Sequence, residues 1–115
     1  MKFSVSLKEN YAFRRLYAKG KSAATPLLVV YFRRNGRAGN RLGLTVGTKV
    51  GKAVTRNQIR RRLREIYRLS SPRLIDGVDM VIVARAKCVN AKYSAIEKAF
   101  ISACRQLGVL SEDVT

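Results

Sequence analysis

The side chains of this chain that are best suited to chemistry are arginines, and the chemistry they suit is the binding of phosphate. Residues 49–68, KVGKAVTRNQIRRRLREIYR, hold eight Lys or Arg side chains and one acidic side chain, Glu65. A guanidinium can donate two parallel hydrogen bonds to one phosphate and can also stack on a base. The cluster therefore predicts a polyanionic partner.

The same segment has the periodicity of an amphipathic helix. From Ile59, apolar side chains recur at i, i+4, i+7 and i+8, which is helical spacing. At about 100° per residue, the opposite face collects Asn57, Arg60, Arg61, Arg64 and Arg68. Thr55 followed by Gln58 predicts a capping box, so we expect the helix to begin near Arg56 and to end near Leu69. Like charges one turn apart repel each other, and a polyanion would relieve that repulsion.

The positive charge is concentrated in the first 68 residues. Of the formal net charge of +17, residues 1–41 carry +9, residues 49–68 carry +7 and residues 69–115 carry +1. This asymmetry is typical of a nucleic-acid-binding protein, although a solvated basic surface or a membrane-surface protein is the competing interpretation. We find neither a signal peptide nor an apolar run of about 20 residues, and so expect a cytoplasmic protein with no membrane partner.

The composition gives no support for catalysis by the polypeptide itself. The chain has no histidine, and its seven carboxylates show no spacing that suggests a metal site. Asp76 and Asp79 fit ordinary turn chemistry, and no Walker-type phosphate loop is present. Cys88 and Cys104 match no zinc or redox spacing, so we expect both to be reduced and structural. We predict no catalytic residue and no protein metal site.

Short elements must position the arginine helix within what we expect to be one domain, residues 1–115. Their predicted order is α-β-β-α-β-α, an α/β (α+β) two-layer sandwich with a small mixed sheet. Before the arginine helix we predict a helix at 10–19 ended by Gly20, a loop at 21–25 and a hairpin of strands 27–33 and 41–47. After it we predict a strand covered on both faces at 78–84, a capped helix at 94–107 and a frayed tail at 110–115. Gly43 and Gly47 within the second strand suggest close approach of another backbone.

Three aromatic side chains, Phe13, Tyr17 and Tyr31, admit two interpretations. Phe13 and Tyr17 lie one turn apart on the first helix, and Tyr31 lies on the first predicted strand. All three could belong to the core, or they could form a platform on which the bases of a single strand stack. The phenolic hydroxyls of the two tyrosines favour a polar edge, which is compatible with a half-exposed cleft.

The arginine segment resembles the characteristic motif of the bacterial ribonuclease P protein component. The matching positions are Lys49, Gly51, Ala53, Val54, Arg56, Asn57, Ile59, Arg61, Leu63 and Arg64. The early LKENYAFRRLYAKG, the strand that ends at Tyr31, the stretch RLGLTVGTKVGKAV and the strand DMVIVAR also fall where the family has them. The resemblance therefore covers nearly the whole chain.

The resemblance implies the small subunit of a ribonucleoprotein that removes the 5′ leader from precursor tRNA. The partners would be the ribonuclease P RNA subunit and precursor tRNA, with one protein monomer for each RNA subunit. Magnesium ions held mainly by the RNA would carry out the chemistry. The family fold further implies a left-handed βαβ crossover through the arginine helix, against the usual right-handed rule.

The resemblance also implies roles for individual residues. Contacts with the catalytic RNA would involve Arg56, Asn57, Arg60, Arg61 and Arg64, which match the basic motif, with Arg68 extending the face and Lys49 and Lys52 in the preceding loop. The cleft for the single-stranded leader would be formed by Phe13, Tyr17 and Tyr31, with Phe13 open between cleft and core. Gln58 stands where the family often has a basic residue, which would remove one phosphate contact.

Three rival classes remain to be compared. A ribosomal or assembly-type protein would use the same charge for structural RNA binding, without any role in cleavage. A helix-turn-helix DNA regulator needs a helix just before the recognition helix, but residues 43–51 have the pattern of strand and loop. A freestanding nuclease lacks the acid and base groups it would need.

Overall fold

The computed structural model describes residues 4–6 and 10–113, and the side chains of residues 13–112. In chain order the regular elements are β1 (Ser4–Ser6), α1 (Asn10–Lys19), β2 (Lys21–Ala24), β3 (Leu28–Arg34), β4 (Asn40–Thr45), α2 (Ala53–Ser70), β5 (Val78–Ala84) and α3 (Tyr93–Leu107). Short 3-10 turns occupy Thr48–Val50, Ser71–Arg73, Ala86–Cys88 and Ser111–Asp113.

The five strands form one mixed sheet in the order β1-β4-β5-β3-β2. The central strand β5 pairs in parallel with β4 and antiparallel with β3. Its side chains are buried apart from Val83, which is partly buried, because both faces of the strand are covered. Helix α2 connects the parallel neighbours β4 and β5, and the left-handed sense of this crossover stays a prediction.

Side-chain alternation along β5 divides the apolar residues between the two faces of the sheet. Met80 and Ile82 belong to the larger cluster, which also contains the buried apolar side chains of α2 and α3. Val81 points the other way and packs with Leu16 of α1. Helices α2 and α3 therefore cover one face, and α1 lies on the opposite face. This arrangement confirms the predicted mixed α/β class.

The two predicted helix caps are wrong, although α3 starts within one residue of its predicted start and α2 starts three residues before its predicted start. Helix α2 begins at Ala53 after Lys52, and α3 begins at Tyr93 after Lys92, and neither start has a side-chain cap. Thr55 and Ser94 therefore lie inside the first turns instead of capping them. At the other end of α3 the expected stop is present: Gly108 adopts a left-handed conformation with φ 71°, and its N–H donates to carbonyls of the last turn.

The edges of the sheet also differ from prediction. The segment predicted as a loop at 21–25 contains β2, which pairs antiparallel with β3 along the edge, and β1 was not predicted. The predicted hairpin of β3 and β4 is wrong, because β5 lies between the two strands and pairs with both. Close approach occurs at Gly43, but to the side chain of Phe13, whereas a Cβ at Gly47 would meet nothing within 4 Å.

The C-terminal segment packs on the body of the protein as far as it is described. Leu110 is fully buried and bridges Leu74, and Glu112 forms an ion pair with Arg73. The predicted frayed tail is therefore wrong up to the turn Ser111–Asp113, and residues 114 and 115 lie outside the described part. Cys88 and Cys104 are buried free thiols, and burial raises the pKa of Cys104 to about 12.

Candidate nucleic-acid interface

Helix α2 presents its basic side chains outward because its apolar stripe is anchored in the core. The buried side chains of the helix are Ile59, Leu63, Ile66, Tyr67 and Ser70. On the other side Asn57, Arg61 and Arg64 are exposed. Arg61 and Arg64 make no hydrogen bond or ion pair within the described residues. Their guanidinium groups therefore remain available to an external acceptor.

The N-terminal end of α2 adds backbone donors to this face. The helix has neither a side-chain cap nor an acidic residue in its first turn, and its first intrahelical bond is donated by Arg56 N to Lys52 O at 2.9 Å. The earlier N–H groups and the positive end of the helix dipole favour an anion at this end. Lys49 and Lys52 are both exposed beside it. Two lysines and the helix end thus converge on one positively charged edge.

Gly51 allows the loop to approach the helix closely. Its φ is 154°, and a Cβ there would lie 3.1 Å from the Thr55 Cγ2. A larger residue would push position 51 away from Thr55 in the first turn of α2, because this spacing is tighter than normal carbon contacts. The glycine therefore helps to set the position of the lysine loop.

Arg60 and Arg56 are less exposed than Arg61, Arg64 and Arg68. Arg60 donates to Asn57 Oδ1 at 2.9 Å and to the carbonyl of Val46 at 3.4 Å, so its guanidinium ties α2 to the end of β4. Arg56 is half-buried, and its Nε is a buried donor with no hydrogen-bond partner within the described residues. A buried donor without a partner costs stability.

Arg68 differs from the rest of the predicted face because it already has an acidic partner. It forms an ion pair with Glu65 at 2.6 Å, and the hydrogen bond from Arg68 lowers the pKa of Glu65. The pair is exposed, so its contribution is small and is screened by salt. The exposed charge on α2 that has no acidic partner within the described residues therefore includes Arg61 and Arg64, which precede this ion pair.

The three predicted cleft residues come together where α1 crosses the sheet. The rings of Tyr17 and Tyr31 pack edge to face with centroids 4.9 Å apart, and Phe13 lies 6.4 Å from Tyr17. Phe13 and Tyr31 are partly buried against Leu16 and Val81, whereas 43% of Tyr17 is exposed. The tyrosine pair is thus open to solvent on one side, and Phe13 supports it from the core side.

Thr45 and Arg85 also lie at this cleft, and neither was predicted from the sequence. The hydroxyls of Tyr17 and Thr45 lie 3.1 Å apart, which joins α1 to the end of β4. Arg85 directly follows β5 in an extended conformation, and its NH1 donates to the Thr25 carbonyl at 3.1 Å. Alternation places Arg85 on the same face as Val81 and Val83, so it continues the cleft floor. The strand was predicted at 78–84, so its alternation could have placed Arg85 on this face from the sequence alone.

The described residues bring together no group of three His, Cys, Asp or Glu side chains that could hold a metal ion. Within the same part of the chain, no helix has the length and apolar character needed to cross a membrane. The described part of the site is an array of hydrogen-bond donors and aromatic rings, which suits the binding of a nucleic acid.

Comparisons with known proteins agree on one family. A sequence profile described as Ribonuclease P matches residues 1–108. The ribonuclease P protein component of Natranaerobius thermophilus is 39% identical over 110 residues, which cover 96% of each chain. That of Alkaliphilus oremlandii is 40% identical over 114 residues, covering 99% of this chain and 100% of the relative.

Solved structures give the same result. The RNase P protein of Staphylococcus aureus superposes with a TM-score of 0.84 at 30% identity, covering 91% of this chain and 96% of that one. The RNase P protein from Thermotoga maritima superposes with a TM-score of 0.78 at 31% identity, covering 84% of this chain and 92% of that one. Similarity therefore extends through both the sequence and the fold.

Proposed function

The chain belongs to the ribonuclease P protein family, and we propose that it binds both the catalytic RNA of ribonuclease P and the 5′ leader of precursor tRNA. By holding the two together it promotes endonucleolytic removal of the leader, which gives the mature 5′ end of the tRNA. One protein monomer acts with one RNA subunit, as a single domain in the cytoplasm. The polypeptide contributes binding and positioning, and no catalytic residue.

This proposal rests on one observation: the protein has two chemically different surfaces, one on α2 and one at the cleft beside α1. The α2 surface offers exposed guanidinium groups and a helix N-terminus, which suit the phosphates of a folded RNA. The α1 cleft offers an open tyrosine pair, which suits the unpaired bases of a single strand. A precursor tRNA supplies such a strand in its leader, and the catalytic RNA supplies folded backbone.

Each surface assigns work to particular residues. Arg61 and Arg64 would contact RNA backbone, with Lys49 and Lys52 beside the helix end. Asn57 and Arg60 would act as a pair, because Arg60 donates to the Asn57 side chain and to the end of β4. Arg56 would contact the same backbone from the first turn of α2. In the cleft, Tyr17 and Tyr31 would receive bases and Phe13 would support them.

Magnesium would act as a cofactor that is bound mainly by the RNA. In this family assignment the ions would activate the attacking water and stabilise the leaving oxygen when bound to the RNA. The described part of the protein offers no acidic cluster of its own. Its contribution would be indirect, because cations that neutralise RNA phosphates bring two polyanions together at a lower concentration of magnesium.

Reconstitution tests the proposal directly. The purified protein is mixed with a bacterial ribonuclease P RNA and a precursor tRNA at low magnesium, and release of the 5′ leader is measured with each component left out in turn. A large gain that needs both protein and RNA is expected. Tight RNA binding without that gain would support a structural RNA-binding protein instead, and leader release by the protein alone would refute RNA-based catalysis.

A pair of substitutions at Tyr31 tests the cleft. Tyr31→Leu keeps apolar volume but removes the ring, and Tyr31→Phe keeps the ring. If a base stacks there, the Leu variant should bind leader-bearing precursor more weakly by roughly 1–3 kcal/mol, the Phe variant should bind almost normally, and both should bind mature tRNA as the wild type does. Equal losses for precursor and mature tRNA would mean that the substitution damages packing instead. Tyr93→Leu, at an exposed tyrosine on α3, is the matched control.

A further inference from the structure

A groove between the end of α2 and the exposed side of α3 belongs to neither of the two proposed RNA surfaces. Its volume is about 500 Å³, which falls within the range of roughly 300–1,000 Å³ that ligand sites occupy. We call it the α2–α3 groove. Its lining combines apolar and charged side chains, which include Leu69, Arg73, Glu97, Lys98, Ile101 and Arg105.

The α2–α3 groove is distant from both RNA surfaces. Leu69 lies in the last turn of α2, about 25 Å along the helix from Lys52 at roughly 1.5 Å per residue. The tyrosine cleft lies beside α1, on the opposite face of the sheet from α2 and α3. A molecule bound in the groove therefore needs to touch neither the N-terminal end of α2 nor the cleft.

The charge around the groove does not suit a polyanion. Residues 69–115, which supply its lining, carry six basic and five acidic side chains. Three of these cations line the groove, but Glu97 lines it with them and Glu112 lies beside them. These carboxylates would repel closely spaced phosphates. A partner that carries only one or two carboxylates, in contrast, can pair with the cations and avoid the acidic side chains.

Arg73 and Arg105 already hold one carboxylate, which belongs to Glu112 in the turn after α3. Arg73 Nε donates to Glu112 Oε2 at 3.2 Å, and Arg73 NH2 donates to Oε1. Arg105 NH2 lies 3.5 Å from the same Oε1. Two parallel hydrogen bonds from one guanidinium are the geometry by which arginine recognises carboxylates. The chain itself therefore shows which anion this pair of arginines accepts.

The contact with Glu112 can be exchanged at little cost to the fold. The side chains of Arg73, Arg105 and Glu112 are 44%, 54% and 43% exposed. Ion pairs with this degree of exposure contribute little to stability, because water and salt screen them. A carboxylate from another molecule can therefore replace that of Glu112.

Leu69 supplies an apolar contact in the same groove. Its side chain is 53% exposed, and Ile101 in the same lining is partly buried against the core. A single exposed leucine is ordinary on a protein surface, but this one borders a concave site in which an incoming apolar side chain would cover it. Arginines beside an apolar contact are typical of protein–protein interfaces.

We propose that the α2–α3 groove docks a short acidic segment of a partner protein. A carboxylate of that segment binds Arg73 and Arg105 in place of Glu112, and a neighbouring apolar side chain packs against Leu69. Glu112 is then an internal competitor, which a partner segment must displace. This inference goes beyond the proposed function and does not depend on it, because neither RNA surface takes part.

Selection from a phage-displayed library of random short peptides tests the proposal on the whole chain. The first target is Glu112→Gln, which removes the internal carboxylate, and the second carries Arg73→Gln/Arg105→Gln in addition. Peptides that combine an acidic residue with a large apolar one should be enriched on the first target and not on the second. The matched control adds Arg14→Gln/Arg15→Gln to Glu112→Gln, which removes the same charge from exposed positions of α1 on the opposite face, and it should enrich the same peptides as the first target.

The affinity of the most enriched peptide, synthesised and labelled for fluorescence anisotropy, gives the quantitative result. Loss of both groove arginines should weaken binding by about tenfold or more, because hydrogen bonds between charged groups are lost. The α1 control should lose far less, and the wild type should bind more weakly than Glu112→Gln. Unchanged thermal unfolding confirms that the variants are folded, and Leu69→Ser, which leaves the charges in place, should also weaken binding.

Several results would overturn the proposal. A selection that enriches no peptide, or only peptides without acidic residues, would do so. Equal losses for the groove and α1 variants would mean that the peptide is attracted only by the net charge of the protein. A loss of about one unit or more in the salt slope of catalytic RNA binding in the groove variant would show that this surface binds RNA instead. The peptide assays contain no RNA, so failure of the proposed function would leave their outcome unchanged.

Discussion

Substitution of Gly43 tests how α1 is seated on the sheet and whether Phe13 belongs to the cleft. An added Cβ would lie 2.6 Å from Phe13 Cζ, 3.0 Å from Phe13 Cε1 and 3.3 Å from Val81 Cγ2. Carbon atoms in good contact are about 3.5–4.0 Å apart, so Gly43→Ala must displace the Phe13 ring by roughly 1 Å. The ring neighbours Tyr17, which packs on Tyr31, so the displacement would reach the proposed base-binding pair.

The expected loss of stability is modest. Overpacking in a core costs about 1–3 kcal/mol, and Gly43→Ala should fall near the lower end, because the clash is with the end of a partly buried side chain that can rotate. For a chain of this size about 1 kcal/mol corresponds to a fall of roughly 4 °C in the unfolding midpoint. Gly47→Ala is the matched control, since a Cβ there meets nothing within 4 Å and its φ of −77° suits any residue.

Two measurements on the Gly43 and Gly47 variants decide the matter: thermal unfolding, and affinity for precursor tRNA with and without its leader. Gly43→Ala should lower both the unfolding midpoint and the leader-dependent part of the affinity, and Gly47→Ala should change neither. Equal behaviour of the two variants would refute the contact between α1 and β4. A fall in stability with normal leader affinity would place Phe13 in the core and outside the cleft.

Three further predictions concern charge. Arg61→Gln/Arg64→Gln should lower the salt slope of catalytic RNA binding by about one unit for each lost phosphate contact, with normal thermal unfolding; an unchanged slope would remove α2 from the interface. Burial alone would raise the pKa of Asp79, but hydrogen bonds from Arg41 and Asn35 hold it below the ordinary 3.8. The stabilisation from a lowered pKa is complete above the ordinary pKa and disappears as pH falls through the pKa of the folded protein, so the free energy of unfolding should fall below about pH 3.8. Asp79→Asn should flatten that fall and should cost about 3 kcal/mol of stability at pH 7. Equal acid sensitivity of the wild type and the variant in chemical denaturation would contradict this. Lys52→Asp should cap α2 and stabilise the protein by about 0.5–2 kcal/mol while weakening RNA binding. If stability and RNA affinity instead rise together or fall together, the proposed role of the helix end is refuted.

The parts of the fold that the sequence predicted well are those with strong periodicity. Helix α1 has its predicted bounds, Asn10–Lys19, and β5 has its predicted bounds, Val78–Ala84. Such patterns arise from burial of one face or of both faces, and burial is what forms these elements. The apolar stripe of α2 was also predictable, and with it the exposure of Arg61 and Arg64 on the other side.

The failures have a different physical origin. Strand β2, KSAA, lies at an edge of the sheet and buries only Ala23. Its backbone pairing with β3, and not burial of its side chains, therefore stabilises it as a strand. The hairpin error arose because nearness in sequence favours pairing of β3 with β4, but β5 inserts between them from 33 residues further along the chain. Local pattern contains no information about such an insertion.

The candidate site was predictable only in part for the same reason. The arginine face follows from the helical period, but the joining of Tyr17 to Thr45 and of Arg85 to Thr25 depends on strand order. The ion pair of Arg41 with Asp79 crosses between neighbouring strands that are 38 residues apart in sequence. Turn chemistry was therefore the wrong interpretation of Asp79, whose environment exists only after β4 and β5 have paired.

The uncapped start of α2 connects the fold to the proposed function. A carboxylate or hydroxyl at the N-cap would stabilise the helix, yet the position is Lys52 and the first turn holds no acidic residue. The acidic partners in the described ion pairs lie elsewhere: Asp79 on β5, Glu65 later in α2 and Glu112 after α3. Because any local anion would occupy the same N–H groups that a phosphate needs, the missing cap keeps the helix end available. The resulting loss of stability is then recovered only when an external anion binds.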